Sequence, residues 1–82
     1  MTDIQRQPVN SSDIASIGYD AATETLEIEF KAMGIYRYFS VPKNVADDFQ
    51  RTPSPGKFFR QHIKVKYAWE KVGRAENDKS DP

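Results

Sequence analysis

The chain has 82 residues, with 12 Lys and Arg, 12 Asp and Glu, one His and no Cys. That length accommodates one small domain with a modest core, and the composition excludes disulfides, thiolate metal sites and a multi-histidine zinc site. The formal net charge of zero hides a division: residues 1–34 carry two basic against six acidic side chains and residues 35–74 carry nine against three, so only the C-terminal half points to an anionic partner.

Residues 1–10 are polar, contain Pro8 and show no periodicity, so they read as a flexible lead-in. They lack the apolar core of a signal peptide, and no apolar run elsewhere approaches membrane-spanning length. A cytoplasmic protein without a membrane partner is expected. Residues 73–82 hold no large apolar side chain and cannot offset the entropy of ordering, so a disordered tail is expected. The folded domain is placed at residues 11–72.

A first strand is predicted from about Ile14 to Tyr19, with Ile17 and Tyr19 on one side. A loop over Asp20–Thr23 would pair Tyr19 with Glu24, Ile17 with Leu26 and Ala15 with Ile28. Leu26, Ile28 and Phe30 alternate with Glu27 and Glu29, and Tyr36 and Tyr38 flank Arg37, so these two runs read as a hairpin with an apolar and a charged face. A three-residue turn Ala32-Met33-Gly34, with Gly34 left-handed, pairs Lys31 with Ile35, Phe30 with Tyr36, Ile28 with Tyr38 and Glu29 with Arg37. Tyr36 and Tyr38 then face the core. A two-residue turn would bury Arg37 instead, because a one-residue slip inverts both faces.

Pro42 ends the third strand and suits the start of a helix whose Val45 and Phe49 share a stripe. Thr52-Pro53 stops it. Ser54 and Pro55 fit the N-cap and first position of a second helix, with Phe59 and Ile63 inward and Lys57, Arg60 and Lys64 along another face. Beyond Ile63 the period changes to two through Val65, Tyr67 and Trp69, an extended segment that can supply a fourth strand. The predicted fold is α+β: a three-stranded antiparallel meander packed against two short helices.

Chemistry-bearing residues are sparse. His62 flanks the apolar stripe and reads as a hydrogen-bonded structural histidine. Ser11, Ser12, Asp13 and His62 have no nucleophile-elbow context around either serine, and Ser12-Asp13 reads as the start of a turn or strand. Glu27 and Glu29 read as solvated charges on the strand face. Ser54-Pro55-Gly56-Lys57 has a glycine and a lysine at a helix start, but lacks phosphate-loop spacing and is accounted for by capping. No catalytic, cofactor or metal set emerges. The strongest constellation is basic: Arg37, Lys57, Arg60, Lys64 and Lys66 interleave with Phe39, Phe58 and Trp69. Single-stranded nucleic acid binds where cations follow phosphates and rings stack on bases. The competing reading makes Phe58 and Trp69 core closure and the cations a solubilising surface, and it is favoured for the aromatics.

The ordered set Val9-Asn10-Ser11-Ser12, Gly18-Tyr19-Asp20, Leu26–Phe30, Tyr36-Arg37-Tyr38, Val41-Pro42, Ser54-Pro55-Gly56-Lys57-Phe58-Phe59 and His62-Ile63 resembles the KTSC domain. That family takes its name from the C-terminus of some lysyl-tRNA synthetases and also occurs as short stand-alone bacterial and phage proteins. The resemblance covers about Val9 to Val72, and Tyr36 and Tyr38 match its Tyr-x-Tyr signature. Pro55 departs from the small residue, often Lys or Ala, of the family pattern. The resemblance implies this fold and no assigned activity, and through the synthetase association it implies contact with RNA or tRNA; no cofactor is expected, since the residues supply no cofactor loop. Two readings follow. One is a non-enzymatic module that binds RNA through Arg37, Lys57, Arg60, Lys64 and Lys66. The other is a protein-interaction module that uses an edge of the sheet or its outer face at Ile35, Arg37 and Phe39.

Overall fold

Alternating apolar side chains build one antiparallel sheet of five strands rather than three or four. The computed structural model describes residues 4–73. β1 (Arg6–Pro8), β2 (Ile14–Asp20), β3 (Thr25–Phe30), β4 (Gly34–Tyr38) and β5 (Trp69–Gly73) lie side by side in chain order. Two short helices intervene between β4 and β5. α1 spans Lys43–Arg51, and α2 (Pro55–Phe58) continues as a π-helical segment, Phe59–Ile63.

Only β1 falls where the sequence lacks apolar alternation; β5 is the fourth strand that the extended segment can supply, shifted toward the C-terminus. Arg6–Pro8, inside the expected lead-in, pairs with Ser16–Gly18. Val65 and Lys66 belong to a turn, and the last strand begins only at Trp69, opposite Tyr38. The expected tail lies outside the described residues apart from Gly73, which closes β5.

The hairpin registers differ from the predicted ones by two residues, while the faces are as predicted. Phe30 pairs with Gly34, Ile28 with Tyr36, Glu27 with Arg37 and Leu26 with Tyr38. Lys31 is drawn out of the hairpin because its N–H donates to the Asp13 carbonyl at 2.9 Å, extending the β2 ladder. The turn is therefore Lys31-Ala32-Met33, and Gly34 (φ 103°) supplies the left-handed residue after it. In the preceding hairpin Asp20 pairs with Thr25, Tyr19 with Leu26 and Ile17 with Ile28. The Asp20 carboxylate accepts from the Ala22 N–H at 3.1 Å and the Thr23 hydroxyl at 3.0 Å, which holds the longer loop. A bulge between Ile14 and Ser16 lets Ile14 and Ile17 both point inward.

One face of the sheet carries Ile14, Ile17, Leu26, Ile28, Phe30 and Tyr38, and these are sealed by Val41, Ala46, Phe49, Phe59 and Ile63. Pro42 stands at the N-cap of α1 and Thr52 at its C-cap, and α1 buries Ala46 and Phe49 with Val45 packed at the margin. Phe49 is wholly buried, and truncating such a ring costs about 3–5 kcal/mol. Ser54 is the N-cap of α2, although its hydroxyl makes no cap bond. The hydroxyl that organises the start of β2 is Ser11 Oγ, which accepts from the N–H groups of Asp13 and Ile14, each at 3.2 Å.

The opposite face is a polar network. Arg6, Gly18, Glu27, Arg37 and Glu70 form one cross-strand row. Glu27, expected to be solvated, is only 4% exposed: Arg6 donates to it from one side, and Arg37 Nε donates from the other at 2.8 Å. Ser16 Oγ accepts from Arg6 Nε and donates to Glu29, both at 2.9 Å.

Candidate ligand-binding face

A chain of aromatic contacts leads from the core to solvent. Phe59 meets Phe30 and Tyr38 edge-on, with centroids 5.0 and 5.5 Å apart. Phe30 meets Tyr36 at 5.6 Å, and Tyr36 meets Trp69 at 5.4 Å. Tyr38 is buried, and burial, with its neighbour Tyr36, pushes its hydroxyl pKa up to about 12. Tyr36 is half-buried. Trp69 ends the series 55% exposed, so it does not close the core as its spacing suggests. β5 places it there: the alternation puts Trp69 and Lys71 on the helix side of the sheet, and Lys71 Nζ lies 6.0 Å from the Tyr36 ring centroid.

The basic residues divide between the two faces of the sheet. Lys57, Arg60, Lys64 and Lys66 are all exposed along one stretch, from α2 through the π segment into the turn before β5. That turn is pinned by the Ile63 carbonyl, which accepts from the N–H groups of Lys66 at 3.1 Å and Tyr67 at 3.4 Å. Arg37 lies on the opposite face, where Glu27 occupies its guanidinium. Arg37 therefore stands apart from the other four, while Lys31 shares a hollow with Arg60 and Lys64, and Lys71 lies against Tyr36. Neither carried a readable signal, since Lys31 precedes a turn and Lys71 lies outside the predicted helices.

Phe58 stacks on Phe49 (5.6 Å, 24°), while His62 is exposed with its ring tilted against Phe58 at 4.7 Å. Phe39 is half-buried and lines a hollow on the polar face with Ile4, Thr25 and Arg37. Trp69 is therefore the exposed ring of the three proposed for stacking. At the start of α2, an added Cβ on Gly56 would lie 3.4 Å from Asp13 Oδ2. The carboxylate already occupies that helix end, which disfavours a phosphate there.

A cleft of about 290 Å³ opens between the start of β2, the β3–β4 turn and the π segment. Its surface is mainly apolar, with Met33 and Ala32 exposed over the buried Ile14, Phe30 and Phe59, and Lys31, Arg60 and Lys64 bring three cations to it. Ser12 and Asp13 form the polar wall, with Asp13 Oδ2 3.5 Å from Arg60 Nη1. Both partners of that pair are about 60% exposed, so it binds weakly and leaves the groups free to be recruited. Among the described residues, no group of three or more His, Cys, Asp and Glu side chains could hold a metal, and no helix is long and apolar enough to cross a membrane.

Known proteins share this fold and sequence. A KTSC domain protein from Yersinia pestis has a crystal structure that superposes with a TM-score of 0.84 at 45% identity, covering 87% of this chain and all of the other. A lysine–tRNA ligase of Nostoc punctiforme is 39% identical over 61 residues, 74% of this chain. The chain spans only 11% of that ligase's length. A protein of Tsukamurella paurometabola is similar over nearly its whole length, 38% identical across 91% of it. The sequence profile of the KTSC domain matches residues 10–67, and the chain belongs to the KTSC domain family.

Proposed function

We propose that this chain is a non-enzymatic module for single-stranded RNA, with Trp69 as the stacking platform and Lys64, Lys66 and Lys71 following the phosphates. Lys57 and Arg60 extend the same cationic track along α2 and the π segment. The observation that carries the reading is the exposure of Trp69 at the end of a packed aromatic series. A ring held from behind by Tyr36 offers its free surface to a base at little entropic cost, and cations beside it supply sequence-independent affinity. The similarity to part of a lysine–tRNA ligase places a related domain within a protein that handles RNA. Arg37 takes no part, since moving it onto a phosphate would take from the buried Glu27 carboxylate one of its two guanidinium partners.

The test is the anisotropy of a labelled oligouridylate across a salt series. Affinity should fall log-linearly by roughly a factor of ten or more between about 50 and 200 mM salt. No binding at the lowest salt would end the reading. The edge of β5, unpaired among the described residues and with Val72 exposed, supports a second reading in which a protein adds a strand there. A salt-insensitive protein complex lost on Val72→Pro would favour that alternative.

A further inference from the structure

We propose that the cleft between the start of β2, the β3–β4 turn and the π segment is a nucleotide pocket that takes one unstacked base together with its phosphate. The proposal rests on the RNA reading and deepens it, by adding a second, recessed position beside the Trp69 platform. Free mononucleotides and nucleotides within a strand share the required chemistry.

Three features of the cleft select that chemistry. Its volume of about 290 Å³ is at the small end of ligand pockets, so it suits a single ring system rather than a folded peptide. Its surface is mainly apolar: the exposed Met33 and Ala32 offer most of it, over the nearly buried edges of Phe30 and Phe59, which pack on each other at 5.0 Å. A flat base is buried well against such a floor, and thioether and ring contacts adapt to its outline. The polar groups are of both signs and are separated by origin: Lys31 comes from the turn, Arg60 and Lys64 from the π segment and the residue following it, and Asp13 with Ser12 from the approach to β2. A ligand that is only anionic would meet the Asp13 carboxylate. A ligand that is only cationic would meet three cations. A nucleotide presents ring N–H or amino donors to Asp13 and Ser12 and phosphate oxygens to Lys31, Arg60 and Lys64.

The frame behind these groups is rigid. The Lys31 N–H is fixed to the Asp13 carbonyl at 2.9 Å, and Ser11 Oγ caps the N–H groups of Asp13 and Ile14. The turn and the polar wall are therefore held at a set spacing before any ligand arrives, which reduces the ordering cost of binding. The Asp13–Arg60 contact, long and exposed, opens readily to release both side chains.

The test is a ¹H–¹⁵N NMR titration of the full chain with uridine monophosphate, adenosine monophosphate, the two nucleosides, inorganic phosphate and an oligouridylate. Mononucleotides should shift the amides of Asp13, Lys31, Ala32, Met33, Gly56 and Arg60, with weaker shifts from nucleosides and from phosphate alone. Lys31→Gln should weaken mononucleotide binding about tenfold, the effect of losing one charge-assisted contact. Asp13→Asn, which keeps the size of the side chain, should change the preference between the two bases. If the oligouridylate shifts Trp69, Lys64 and Lys66 while no nucleotide, free or linked, moves the cleft amides, the pocket is refuted and the RNA reading survives. If mononucleotides fill the cleft but the oligouridylate binds nowhere, the pocket holds as a site for free nucleotides and the RNA reading fails. Shifts of equal size from inorganic phosphate and from mononucleotides would also refute the pocket, because the apolar floor would then contribute nothing.

Discussion

Arg6 in β1 reaches across β2 to the Glu27 carboxylate in β3, and it can do so because the residue between them in the cross-strand row is Gly18. Arg37 holds the same carboxylate from β4. A single buried acid thus ties the N-terminal strand to the middle of the sheet. Removing it should deprive two half-buried guanidinium groups of their shared carboxylate, leaving Arg6 with Ser16 and the more distant Glu29. Glu27→Ala is expected to lower unfolding free energy by roughly 2–4 kcal/mol, while Arg37→Ala costs less because that side chain lies nearer solvent. Urea denaturation of the two variants, read by circular dichroism, checks the order.

Gly18 also admits the backbone of the N-terminal segment. A Cβ there would lie 2.3 Å from the Gln5 carbonyl oxygen and 2.8 Å from Ile4 Cγ2, and a backbone oxygen cannot yield as a side-chain tip can. Gly18→Ala should therefore peel residues 4–8 away from β2 at a cost of about 1–3 kcal/mol, leaving the other four strands paired. Faster amide exchange confined to β1 and the facing edge of β2 is the expected signature. Exchange that rises evenly through β3 and β4 would contradict it.

Tyr38 gives the fold an alkaline limit. Its hydroxyl is raised to about 12 by burial, while in the unfolded chain it titrates near the ordinary tyrosine value of 10.0. The folded state thus favours the protonated form, so this contribution is fully present below pH 10 and is lost as pH rises through 12. The loss amounts to roughly 2–3 kcal/mol. Tyr38→Phe should flatten that part of the profile, measured as the difference in urea midpoint between pH 9 and pH 11.5. An unchanged slope in the variant would assign the alkaline loss to other groups.

Replacing Lys64 or Lys66 by Ala should weaken binding to every RNA sequence alike and reduce the salt slope by about one. Arg37→Ala, at matched folded fraction, should leave that slope untouched. Slopes measured for the three variants separate phosphate contacts from a charge committed to the fold.

The sequence was most legible where side chains alternate. The pattern of Tyr36, Arg37 and Tyr38 placed both phenols on the helix side and the arginine on the other, as found. A shift of two residues preserves that parity, which is why the faces survived while the register did not. The register depended on Lys31 pairing with Asp13 across the sheet, a contact between residues distant in sequence. β1 was invisible because its pairing rests on backbone hydrogen bonds and one arginine, not on an apolar stripe. Burial of Glu27 was equally hidden, since alternation tells which face a residue is on but not what covers it. Helical spacing put Lys57, Arg60 and Lys64 on an outward face, and all three are exposed, whereas the exposure of Trp69 depended on where β5 docks.

Trp69 is the only tryptophan in the chain, so its emission reports directly on the proposed platform. Titrating the full chain with an oligouridylate at low salt, while following that emission, tests the account most directly. Base stacking should quench the fluorescence saturably, and added salt should reverse the quenching. Trp69→Ala should remove about 1–3 kcal/mol of affinity, measured by anisotropy at matched folded fraction, because the ring also packs on Tyr36. Binding that leaves the emission unaltered and survives Trp69→Ala at full strength would contradict the account.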